Sequence, residues 1–297
     1  MRISVWCPKC DLTNEVLADA SWAAGEMHES GYVKAQCKLG HAPVLGVQEP
    51  KFVLLFDIGA CAYLDGYYRE AVGTMNTAIE RACELFVQVV SETRGTPVGG
   101  FDRFWAAVKN RSEAQIGAFL LAYLYEHGIA CGFFEKEISV RGKRASITSF
   151  RNRVVHQGYI PSQAEAYEFG ESTHHWLTDL SVTLQAAHPE SVRRIQEEYW
   201  ALQLEAAEKQ REKITAWMSG GTIIEWAGGV EHMRCSTFSE GLLDLSDHRI
   251  WQTGLVDFLP PGVERPQSHR DRLLRRMTAF SPGPRKRDRT TTQSRLN

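Results

Sequence analysis

The stretch YYREAVGTMNTAIERACELFVQVVSE, residues 67–92, decides the fold. Its apolar side chains Val72, Met75, Ile79, Ala82, Cys83, Phe86 and Val90 recur every three or four positions. That period places them on one face of a helix, with the charged residues opposite. Just upstream, KFVLLFDIGACAYLD (51–65) is apolar on most faces and predicts a buried helix, broken at Asp65-Gly66. Downstream, GTPVGG (95–100) is a loop and FDRFWAAVKN (101–110) a short helix. Ser112 with Gln115 has capping-box spacing and opens another helix, which Gly128 ends. After the basic loop RGKR (141–144), ITSFRNRVVHQ (147–157) reads as a helix stopped by Gly158. Ser162 and Glu165 form a second capping box and open a helix to about residue 185. Residues 50–187 therefore predict a helical bundle, and the chain is mainly α.

The flanks differ. Residues 1–48 hold cysteines and histidines among strand-compatible spacers. Residues 188–219 predict one long charged helix. In 220–260 the runs TIIEW, HMRCSTF and GLLDLS are short and strand-like, which predicts a small β element. Residues 261–297 form a basic tail, expected to be disordered. No internal repeat is visible.

The 297 residues carry ample apolar material for a core, 43% by composition, but no run long enough to cross a membrane. The N-terminus, MRISVWCPKC, lacks a signal-peptide pattern, so an intracellular, cytoplasmic protein is expected. The net charge is only −2, yet the tail alone carries ten Lys/Arg against three Asp/Glu. A basic tail on an acidic body can hold nucleic acid or fold back on its own surface.

Seven cysteines do not form a disulfide framework. Cys7 and Cys10 make a C-P-K-C knuckle, and Cys37 and His41 a C-x3-H pair 26 residues on. A knuckle lets two thiolates reach one tetrahedral ion, and the spacing fits a zinc ribbon. Four protein ligands leave no place for water, so the expected zinc is structural and no catalytic metal is expected. His28 competes with His41 at less suitable spacing.

One short apolar segment, SFRNRVVHQGY, residues 149–159, carries two arginines, an asparagine and a histidine. On a helix, Asn152 and His156 are i,i+4 and share a face. Arg151 lies about 140° round, within reach of the same edge. His156 falls in the last turn, where cations are favoured. An imidazole can move protons while a nearby cation holds developing charge, the chemistry of phosphodiester cleavage.

Arg151 through His156, R-N-R-V-V-H, resembles the Arg-x4-His signature of the HEPN superfamily, including its frequent Asn after the Arg. YLDGYYREAVGTMNTAIERACELF is similar to the early helices of such domains, and the likeness spans roughly residues 50–187. The resemblance implies a HEPN-type bundle that forms a homodimer and joins two motifs in one cleft. It further implies a metal-independent endoribonuclease, acting as a toxin or an anti-phage defence effector on RNA. His156 would be the general base or acid, Arg151 would stabilise the phosphorane-like charge, and Asn152 would orient the phosphate or the His. An antitoxin or a trigger protein is a further partner of that setting, and no membrane is implied.

One position departs from the pattern. Members paired with a nucleotidyltransferase antitoxin carry a Tyr two residues after the His; here that position is Gly158, with Tyr159 one further on. Modification of the Tyr therefore does not carry over. Two readings stand for Glu80, in the TAIE segment: a partner of Arg151 facing the His156 cleft, or a surface acid on an amphipathic helix. Arg141, Lys143, Arg144 and Arg153 are candidate phosphate contacts. The rival reading is a non-catalytic HEPN and zinc-ribbon protein that binds nucleic acid or protein. Cleavage calls for Arg151 and His156 exposed in a shared cleft; a binding role leaves them in intramolecular contacts.

Overall fold

The computed structural model describes residues 2–12, 22–218, 223–224, 226 and 237–253. All belong to the unit Met1–Phe258. The basic tail lies outside the described residues, as do 227–236.

The chain opens with β1 (Arg2–Trp6), the short helix α1 (Pro8–Leu12), β2 (Trp22–Met27), β3 (Val33–Cys37) and β4 (Val44–Val47). These strands form an antiparallel meander, and β7 (Ala216–Met218) adds to β4 in parallel. Alternate residues of β3 are buried, the pattern of a strand with one face on a core. The predicted long helix 188–219 is thus shorter: α8 spans Pro189–Lys209, and the chain returns to the sheet. Gln203 of α8 explains the join. Its amide accepts from Val47 N–H at 2.9 Å and donates to Val47 C=O at 2.8 Å, both in a fully buried place.

The bundle has α3 (Tyr68–Thr93) at its centre. The predicted apolar face, Val72 through Val90, is buried as read. Against it pack α2 (Lys51–Leu64), α5 (Ser112–His127), α6 (Ile147–His156), α7 (Gln163–Ala187) and α8, with α4 (Gly100–Val108) at one end. Gly66, at φ +80°, makes the turn between α2 and α3. The Ser162–Glu165 capping box is formed in both directions.

Two local expectations are corrected. RGKR is not an open loop but the tip of a hairpin, β5 (Glu137–Val140) and β6 (Lys143–Ser146), turning through Arg141 and Gly142 at positive φ. Near the C-terminus, Phe238–Thr253 of the expected β element forms a helix, α9. A short apolar run such as GLLDLS does not distinguish strand from helix by period alone. Gly241 lets Ile223 approach: an added Cβ would lie 2.7 Å from it. Phe238, Leu242 and Leu245 bury into the main core.

Candidate functional site

Two clusters of reactive side chains stand out. The first is Cys7, Cys10, Cys37 and His41, whose donor atoms all lie within 4.8 Å of one another. Cys10 Sγ is 3.7 Å from Cys37 Sγ and 3.3 Å from His41 Nδ1, and Cys7 Sγ is 3.8 Å from His41 Nδ1. Bond lengths of about 2.3 Å to sulfur and 2.0 Å to nitrogen give tetrahedral edges of roughly 3.5–3.8 Å, so the set fits one ion. Cys37 and His41 sit on the β3–β4 turn, where Gly40 (φ +82°) tightens the chain and Cys37 N–H bonds His41 C=O. The first pair follows β1, with Cys10 in α1, within the connection to the antiparallel strand β2.

Without a cation the thiols oppose one another. Burial first, then the neighbouring thiols Cys7 and Cys37, push Cys10 up to about 12. Burial also raises Cys37, but hydrogen bonds from the His41 and Leu39 backbone N–H groups and from the Cys10 and Cys7 thiols together hold it below its ordinary value. His28 is not part of the set: it bonds Ser30 and stacks on Tyr32.

The second cluster is built around α6. Ser146 caps the helix by accepting from Ser149 N–H, and Gly158 (φ +67°) follows its end. Phe150 and Val154 bury and fix its rotation. The side chain of Arg151 is only 5% exposed. Its Nε donates to Asn76 Oδ1 at 2.9 Å, one terminal nitrogen to Asn152 Oδ1 at 2.6 Å, and the other to Glu80 Oε1 at 3.0 Å and to Ser112. Glu113 lies 3.6 Å away on the solvent side. Glu80 Oε1 also accepts from Asn76 Nδ2 at 2.9 Å and from Ser112 Oγ. Arginine only donates, so its contacts fix which end of each Asn amide is oxygen. The Asn152 NH2 group makes no hydrogen bond to a described residue. One turn on, His156 is exposed and likewise has no hydrogen bond or ion pair among the described residues.

The structure therefore joins Arg151, Asn152 and Glu80, with His156 at the rim. It adds Asn76, Ser112 and Glu113, none of which the sequence placed at this site. Ser112 is inside α5, and Arg111 is the N-cap. The Ser112 hydroxyl serves Glu80 and Arg151, while Gln115 bonds Arg81 and the Lys109 carbonyl, so the capping box expected there is absent. A clue was available in Asn76, a polar residue on the apolar face of α3 and one turn before Glu80.

The other basic candidates divide. Arg153 and Arg141 lie over the Tyr159 ring at 4.3 and 4.8 Å. The Tyr159 hydroxyl donates to Glu165 and accepts from Arg141 Nε, so it is held within the fold. Arg144 pairs with Glu137 and, at 3.9 Å, with Glu168. Lys143 is exposed at the hairpin tip.

No helix among the described residues is long and apolar enough to cross a membrane. The chain matches no family model, no curated protein and no solved structure.

Proposed function

We propose that the chain is a HEPN-type endoribonuclease that acts on RNA in the cytoplasm, in a toxin or anti-phage defence setting. One observation carries this reading. A buried Arg151, held by Asn76, Glu80 and Ser112, clamps the Asn152 amide one turn from an exposed His156. Burying a charge network gains little stability in itself. Spending it on the orientation of one half-exposed amide is what a preorganised site requires.

In the proposed reaction a ring nitrogen of His156 takes the proton of a ribose 2′-OH. The 2′ oxygen bonds the adjacent phosphorus, the bond from phosphorus to the 5′ oxygen breaks, and that oxygen takes a proton from an acid. The products are a cyclic phosphate and a 5′-OH. Asn152 N–H groups face the developing phosphorane charge. The burial of Arg151 changes the role expected of it: it positions Asn152 and does not itself meet the phosphate. Each chain offers one His156, so base and acid together call for a homodimer. Arg153 and the hairpin residues Arg141, Lys143 and Arg144 lie in the RNA-binding part of the proposal. The Cys7, Cys10, Cys37 and His41 set would hold structural zinc.

A second reading, a non-catalytic module that binds nucleic acid or a partner protein, is favoured by the same burial of Arg151 in internal contacts. Purified wild type and His156→Ala, each given single-stranded RNA, separate the two. Cleavage by wild type alone supports the nuclease; equal RNA binding with no cleavage by either supports the module.

A further inference from the structure

A row of polar side chains that the proposed reaction does not use lies at the other end of α5. Four places in the fold supply it: the end of α3 with Thr93, the end of α5 with Glu126, the junction of α7 and α8 with His188, and the first turn of α8 with Ser191. Thr93 Oγ1 is 3.2 Å from His188 Nδ1 and 2.9 Å from Ser191 Oγ. His188 Nε2 is 3.1 Å from Glu126 Oε1, and Arg94 donates to the other oxygen of Glu126 at 2.9 Å. The His188 and Glu126 side chains are 9% and 19% exposed, Ser191 is buried, and Thr93 is open to solvent. Glu126 stands fourteen residues along α5 from Ser112, roughly 20 Å away, so this cluster is separate from the one around Arg151.

We propose that Thr93, His188 and Glu126 form a second catalytic site, which hydrolyses small activated acyl esters. The proton positions follow from the contacts. A carboxylate only accepts, so Glu126 fixes the hydrogen of the neutral ring on Nε2. The lone pair of Nδ1 then faces the Thr93 hydroxyl, the arrangement that activates a nucleophile. This is the hydroxyl, imidazole and carboxylate order of a nucleophilic triad, with the two ring nitrogens exchanged. In the resting fold the Thr93 hydroxyl donates to the Val89 carbonyl at 2.9 Å. Its hydrogen turns from there to Nδ1 for the reaction, while Ser191 keeps the oxygen in place. Arg94 braces Glu126, which positions the ring and does not touch the substrate. No side chain caps α8, so the N–H groups of Glu190 and Ser191 in its first turn are available to an oxyanion.

The Thr93 oxygen bonds the acyl carbon as its proton passes to Nδ1. The bond from that carbon to the leaving oxygen breaks, and the leaving oxygen takes the proton from Nδ1. Water then gives a proton to Nδ1 and its oxygen to the acyl carbon. The bond to Thr93 breaks, the proton returns to Oγ1, and a carboxylic acid leaves. Thr93 stands on the surface, so a short acyl group reaches it without a deep pocket.

The test is hydrolysis of para-nitrophenyl acetate by the full chain, followed by release of nitrophenolate. Wild type should hydrolyse it faster than buffer alone. Thr93→Val keeps the shape and removes the oxygen, and His188→Asn removes the base; each should be on the order of a hundred-fold slower. Thr93→Ser restores the hydroxyl and should retain the activity, which a merely structural threonine would not require. Wild type no faster than buffer overturns the proposal. So does either deletion variant that matches wild type, or a Thr93→Ser protein as slow as Thr93→Val. The assay contains no RNA, so its outcome is independent of the nuclease reading.

Discussion

Replacing Glu80 by leucine should damage the protein far more than a surface acid would. Glu80 Oε1 receives Asn76, Ser112 and Arg151, and its loss leaves Arg151, whose side chain is only 5% exposed, without its close counterion. Glu113 does not replace it, because it lies 3.6 Å away with its own side chain largely in water. Breaking one side of a buried ion pair costs about 3–5 kcal/mol. Arg151→Leu should cost a similar amount, since Asn76, Asn152 and Glu80 each lose a donor. The double variant should cost less than the two together, because neither charge is left alone. A coupling of roughly 1–3 kcal/mol is expected for residues sharing one network. Urea unfolding of wild type, both single variants and the double variant closes the cycle. Glu80→Gln, which keeps an oxygen acceptor, should fall between wild type and Glu80→Leu. A Glu80→Leu protein within about 0.5 kcal/mol of wild type, or single effects that simply add, would refute the network as described.

Three other outcomes follow from the fold. Gln203→Leu should lose roughly 2–5 kcal/mol in urea melts, because it orphans both backbone groups of Val47; a cost near zero would contradict the clamp. His174 is buried among Phe56 and Phe238, and burial first, with His175 second, lowers its pKa from 6.5 to about 4. The unfolded chain therefore binds the extra proton. This contribution to stability is complete above about pH 6.5 and is lost as pH falls toward 4, about 3 kcal/mol in all. His174→Leu should flatten stability in that window, and an unchanged slope counts against the assignment. Purified wild type should carry about one zinc per chain and Cys10→Ser much less; equal metal content in the two would remove the proposed centre.

What could be read from the sequence was local. The period of residues 67–92 set α3 within one residue at either end, because seven regularly spaced apolar side chains leave one face to bury. The Cys7, Cys10, Cys37 and His41 set was visible because thiols at knuckle spacing are informative by themselves. What escaped was determined by partners far along the chain. Asn76 and Ser112 meet Arg151 across 75 and 39 residues, and nothing near them announces it. Ser112 also has the local texture of a cap, which its distant partners override. The strand Ala216–Met218 is only three residues long and exists through its pairing with β4. The hairpin Glu137–Ser146 has two strands of four residues, too few for alternation to stand out. GLLDLS lies in helix α9, whose Phe238, Leu242 and Leu245 reach the core.

The most direct test of the proposed function is cleavage of single-stranded RNA, in chelator-containing buffer, by purified wild type beside His156→Ala. His156 is exposed and unbonded within the described fold, so the substitution should leave the urea midpoint unchanged. The account predicts wild-type products ending in a cyclic phosphate and at least a hundred-fold slower cleavage by the variant, the order of a lost general acid or base. Equal cleavage by two equally stable proteins, or none by wild type, would contradict it.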